Sequence, residues 1–161
     1  MPSSFRHAQL ELRTLSTDVW PATPAGQSAL LKRLGLSASP QECVWVVAYD
    51  SQHNLRTLVE IARGSHLGAQ VHVPTLLSAV LASGAERFML IHNHPNGSAQ
   101  PSNGDVALTL AVASAAKTCW MYLEDHLIVT PNERSWYSFV QSGVYTPMPY
   151  GDEKNAAASQ R

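Results

Sequence analysis

The chain has 161 residues, of which 45% are hydrophobic and 14% charged, and its formal net charge is −1. That length suits a single folded domain, and the apolar fraction excludes wholesale disorder. The charge balance leaves no basic footprint for nucleic acid, no apolar run is long enough to span a bilayer, and residues 1–9 lack the basic-then-apolar order of a secretory leader; a cytoplasmic protein with no membrane partner is expected.

Residues 1–24, rich in Pro, Ser and Thr, predict a loosely packed arm, residues 25–142 a folded domain, and residues 143–161 a flexible polar tail. Residues 26–36 read as a short amphipathic helix with Gly35 near its stop. Cys43-Val-Trp-Val-Val-Ala-Tyr49 reads as a buried strand, residues 50–54 as turn chemistry, and residues 55–62 as the second arm of a hairpin. Pro74 suits the first turn of a helix over 74–83, which Gly84 ends. A strand over 87–91 runs into a turn-rich loop, followed by an Ala-rich helix over 102–117. Two further strands, 120–123 and 126–130, are expected on either side of Glu124 and Asp125, and a last one over 136–140. The sum is an α/β domain around a mixed sheet flanked by helices. Cys43 and Cys119 lack CxxC spacing and are expected as buried free thiols, with Trp45, Trp120 and Trp136 in the core.

The residues that point to chemistry are His92-Asn93-His94, seven further residues, and then Ser102-Asn-Gly-Asp105. Positions i and i+2 of an extended segment share a side, so His92 and His94 can face one point at a strand's end. Pro95, Gly97 and Pro101 can fold the intervening loop back, and Asp105 falls in the first turn of the next helix. Two imidazoles and a carboxylate with a fourth position open is the donor set of catalytic zinc, whose bound water ionises near neutral pH. One Zn2+ ion is therefore expected on His92, His94 and Asp105. Glu60 stands in an otherwise apolar strand, where a carboxylate needs a partner or a function; it is the expected general base, with an edge-strand carboxylate facing solvent as the alternative. Ser102 and Asp105 also spell a capping box, a role that competes for the Asp105 carboxylate. Asp125-His126 could support the site from behind, although a structural hydrogen-bonded pair is the favoured reading. His7 and His53 are expected at the surface, and His66 and His72 in the loop after Glu60, either bordering the cleft or simply at the surface.

These residues resemble the signature of the JAMM (MPN-plus) metalloproteases, and within it the RadC-like JAB-domain proteins. The similarity runs through Glu60-Ile-Ala-Arg-Gly64, His92-Asn-His-Pro-Asn-Gly97, Pro101-Ser102, Asp105 and Asp125-His126-Leu-Ile-Val129, and covers roughly residues 41–140. The resemblance implies a three-layer, cytidine-deaminase-like JAB/MPN fold with zinc at the end of a central strand. It implies zinc ligation by His92, His94 and Asp105, water activation by Glu60, and oxyanion stabilisation by Ser102. Well-known members cleave isopeptide bonds to ubiquitin-like proteins, whereas Asn93 between the histidines matches the RadC-like chains. Longer RadC-like proteins carry a helix-hairpin-helix region associated with DNA.

The leading expectation is thus a zinc metallopeptidase or isopeptidase with a peptide or protein substrate. The alternative is a repair- or recombination-associated nuclease or accessory factor, and a third reading is a non-catalytic interaction module.

Overall fold

A computed structural model describes residues 19–64, 71–132 and 135–148. Along the chain run α1 (Pro24–Arg33), a short 3₁₀ helix (Leu36–Ala38), β1 (Cys43–Tyr49), β2 (Leu55–Arg63), α2 (Val73–Ala82), β3 (Arg87–Asn93), α3 (Asn103–Thr118), β4 (Tyr122–Val129) and β5 (Trp136–Ser138). The strands form one sheet in the order β2-β1-β3-β4-β5. Only the β3–β4 pair is parallel, joined through α3; the other neighbours are antiparallel. This is the mixed sheet flanked by helices that the sequence predicts.

Two apolar clusters lie on opposite faces of the sheet. Val46, Ala48, Phe88, Leu90 and Ile128 point to one side, where α2 and α3 supply Leu76, Val80, Val112 and Ala116. Trp45, Val47, Tyr49, Met89, Ile91 and Val129 point to the other, against Leu30 and Leu31 of α1 and Trp20. The result is three layers, and it explains why β1 is buried at every position: a central strand covered on both faces reads as a continuous apolar run.

Several expectations shift. The arm does not stay loose to residue 24: Trp20 is buried and its indole N–H donates to Met89 Sδ. In place of the two strands expected over 120–123 and 126–130 there is one, β4 (Tyr122–Val129), with Trp120 in the turn before it. The β3–β4 register slips between Phe88 and Met89, leaving Glu124 as the extra residue of a bulge. Glu124 meets Arg87 and the Tyr49 hydroxyl, and Asp125 turns inward, so neither carboxylate breaks the strand. Cys43 is buried, but Cys119 is exposed, because it caps the C-terminus of α3 in the turn to β4. Trp120 follows it with a positive φ of 56° and 45% exposure, outside the core. Trp45 is in the core, and Trp136 packs against it half-buried. His53 is half-buried and stacks on Tyr49 rather than facing solvent, while His72 is exposed. The domain also extends past residue 142: Tyr145 is buried and its hydroxyl donates to the Leu123 carbonyl at 2.7 Å. His7, His66 and the expected tail beyond residue 148 lie outside the described residues. Among the described residues, no helix is long and apolar enough to cross a membrane.

Candidate metal centre

The open end of the sheet gathers three chain segments. β3 ends at Asn93, and its His92 is paired with Val44 of β1 on one side and Ile128 of β4 on the other. The ladder extends one residue further, with His94 N–H donating to Val129 O at 2.9 Å. The N-terminus of α3 lies at the same end, as expected where a parallel strand feeds a crossover helix. His92, His94 and Asp105 are 2%, 8% and 6% exposed.

The three side chains converge. His92 Nδ1 lies 2.9 Å from Asp105 Oδ1, and His94 Nε2 lies 3.6 Å from Asp105 Oδ2. One donor atom from each of the three falls within 4.8 Å of the others. Bonds of about 2.1 Å to a tetrahedral zinc place ligand atoms about 3.4 Å apart, so the spacing fits. The tautomers fit too. The Ser98 carbonyl, which can only accept, lies 2.8 Å from His94 Nδ1 and fixes the N–H there, leaving Nε2 as a lone pair toward Asp105. The Glu42 carboxylate lies 2.8 Å from His92 Nε2 and does the same for that ring, freeing Nδ1. His92 Nδ1 is buried without a hydrogen-bond partner: it is close to Asp105 yet not aligned to donate to it. An orphaned buried nitrogen beside a second imidazole and a carboxylate is the donor set a metal ion completes.

Local sequence explains the convergence. A turn closes from Gly97 N–H to His94 O, with Gly97 at φ +83°, and it brings the Ser98 carbonyl back over His94. Ser102 caps α3, accepting from Asp105 N–H, while its own N–H and hydroxyl both donate to Asp105 Oδ2 at 2.7 Å. The capping and ligand roles of Asp105 are therefore not alternatives. Oδ2 serves the helix start and Oδ1 turns to His92. Burial would raise the Asp105 carboxyl, but the flanking imidazoles and Ser102 outweigh it and hold it far below the usual range. The neighbouring Asp105 carboxylate in turn raises His94, against the opposing effect of burial. Ser102 lines the cleft, with its one hydroxyl proton committed to Asp105.

Glu60 is not brought to this cluster. It pairs in register with Trp45, and antiparallel partners share a face, so it projects on the α1 side of the sheet while His92 projects on the α2–α3 side. There it forms a two-pronged ion pair with Arg63, at 2.6 and 2.8 Å. The carboxylate at the histidines is Glu42, the residue before β1. The sequence reading missed it because it sits outside the apolar run; the signal is non-local, since β1 lies antiparallel to β3 and so begins where β3 ends.

Behind the site, the Thr109 hydroxyl donates to the Asp105 carbonyl and accepts from His126 Nδ1, each at 2.7 Å. Burial, then the neighbouring His92, pushes His126 down to about 3, so it is a neutral ring, stacked 4.5 Å from Phe139. Asp125 serves the next turn instead, accepting from Ser138 Oγ and Val140 N–H, with burial raising its carboxyl. Of this pair, His126 backs the site through Thr109 and Asp125 is structural.

A cleft of about 530 Å³ opens beside the cluster, lined by Glu42, His94, Ser102, Gln41, Asn96 and Gln100 among others. Its described lining contains no lysine or arginine.

Comparison with known proteins agrees with this architecture. The family model described as the RadC-like JAB domain matches residues 24–144. A UPF0758 protein of Methylibium petroleiphilum is 33% identical over 135 residues, 84% of this chain and 59% of that protein. A UPF0758 protein of Polaromonas is 37% identical over 101 residues, 63% of this chain and 45% of that protein. One from Flavobacterium johnsoniae is 31% identical over 106 residues, 66% and 45% of the two chains. The chain thus spans about half the length of these relatives, whose name states no activity. On fold, histidine–aspartate cluster and family match together, the chain belongs to the RadC-like JAB-domain family.

Proposed function

We propose that this protein is a zinc-dependent hydrolase that cleaves a peptide or isopeptide amide. The observation that carries the reading is the meeting of His92, His94, Asp105 and Glu42 at one cleft. A zinc ion held by His92, His94 and Asp105 supplies Lewis acidity and brings the ionisation of water down to about pH 7. Glu42 takes the proton of the attacking water and returns it to the leaving amine, as a carboxylate at the cleft wall within hydrogen-bond reach of a ligand histidine can. Ser102 lies at the same wall, and rotation of its hydroxyl away from Asp105 offers a hydrogen bond to the developing oxyanion. The amide-bearing lining, Gln41, Asn96 and Gln100, suits a neutral polar backbone better than a phosphodiester, which calls for cationic partners.

The test is hydrolysis, by the zinc-loaded full chain, of a peptide library and of lysine-linked isopeptides, read by mass spectrometry. Cleavage is expected, to be lost on chelation. E42Q should lower the rate by about 10²–10⁴-fold and E60Q should leave it within twofold, since loss of a general base costs about that much. Full activity in E42Q, or loss in E60Q, would overturn the assignment of the base.

A further inference from the structure

We propose that Asn93, the residue between the two histidines, is the positioning residue that sets Glu42 against His92. This rests on the reading of Glu42 given above. Successive strand residues face opposite ways, so His92 and His94 face the metal centre while Asn93 points through to the α1 side, together with Met89 and Ile91. Asn93 is fully buried there. A side-chain amide has one carbonyl and two N–H groups, and Asn93 spends both ends on a single short segment. Oδ1 accepts from Cys43 N–H at 2.7 Å, and Nδ2 donates to Ser39 O and Gln41 O, each at 3.1 Å. Those contacts bracket Glu42 on both sides in the chain. The Glu42 backbone is held besides by Gly64 N–H, which donates to its carbonyl at 2.8 Å.

His-Asn-His is therefore one device with two faces. Its outer residues hold the ion, and its middle residue clamps the lead-in to β1 so that the Glu42 carboxylate arrives 2.8 Å from His92 Nε2. Asn93 does not itself line the cleft and hydrogen-bonds none of the three donor atoms; its side-chain bonds run to Ser39, Gln41 and Cys43, the residues around Glu42, so its influence on the site passes through the segment that carries Glu42.

That route is tested by a double-mutant cycle on zinc affinity, measured by chelator competition on the full chain with zinc alone as the probe. E42A removes the carboxylate that orients His92 and should weaken zinc binding by about 10–100-fold, the usual cost of an outer partner. N93A should weaken it by a similar factor, and the double variant should bind no more weakly than E42A, because coupled residues are not additive. In the metal-free protein, the imidazole Nε2–H resonance of His92 should move in N93A to where E42A puts it, with the β4 amide resonances unchanged. Unchanged affinity in N93A, or additive losses in the double variant, overturns the role of Asn93. Unchanged affinity in E42A overturns instead the Glu42–His92 contact on which the proposed chemistry rests. If N93A does not fold, N93S, whose short hydroxyl replaces at most part of the amide's bonding, decides by the same non-additivity.

Discussion

Single side chains here carry unequal energies, and burial explains the inequality. The Glu60–Arg63 pair has good geometry, but the two side chains are 33% and 47% exposed, and such surface pairs contribute about 0–1 kcal/mol. E60A should therefore change unfolding free energy in urea by less than about 1 kcal/mol. Thr109 is the opposite case. It is 1% exposed and joins the Asp105 carbonyl to His126 Nδ1. T109V strands that ring nitrogen in the interior and should cost about 1–3 kcal/mol in the same assay, with weaker zinc binding as a second readout. Gly97 acts through backbone geometry: at φ +83° a β-branched side chain is strained by about 1–2 kcal/mol. G97V should shift the Ser98 carbonyl away from His94 Nδ1 and so loosen the metal site. The clustering of His92, His94 and Asp105 was legible in the sequence because each is placed by local geometry: a strand alternation, a turn with glycine, a helix cap. Glu42 was not, because it meets His92 only through the pairing of β1 with β3, and an apolar neighbourhood singled out Glu60 instead.

Whole elements were readable wherever one face repeats with a clear period. α2 shows Leu76, Leu77 and Val80 on its buried side, and Leu76 is fully enclosed. L76A should cost about 2–5 kcal/mol, read as a lower urea midpoint with an unchanged slope. β4 was harder, since adjacent carboxylates signal a break unless tertiary partners are known, and Arg87, Tyr49, Ser138 and the Val140 amide are all remote or on another strand. The segment after β5 was read as tail because its Pro and Gly mask one anchor, Tyr145. Burial, and secondarily the Asp125 charge, pushes that phenol up to about 12. The sign follows from the raised value. The neutral phenol favours the fold, its contribution is complete below pH 10, and it is lost as pH climbs from 10 towards 12. The melting temperature of Y145F should be lower than wild type at pH 8, by the loss of one hydrogen bond of about 0.5–1.5 kcal/mol, and fall less steeply over that alkaline window.

At the scale of the whole molecule, the candidate metal centre is tied to folding. His92 and Asp105 come from a strand and a helix brought together by packing, so an ion that binds them binds the native state alone. Zinc at about a hundred times its dissociation constant should add about 2.7 kcal/mol to stability, seen as a rise in melting temperature that chelation reverses. H92A or D105A should abolish that rise. The distance between Glu42 and His92 along the chain, 50 residues, has a further consequence. Glu42, His92, His94 and Asp105 share one point only once β1 has paired with β3 and α3 has packed beside them. A half-made or unravelled copy therefore holds no assembled site, which comes into being only with the fold.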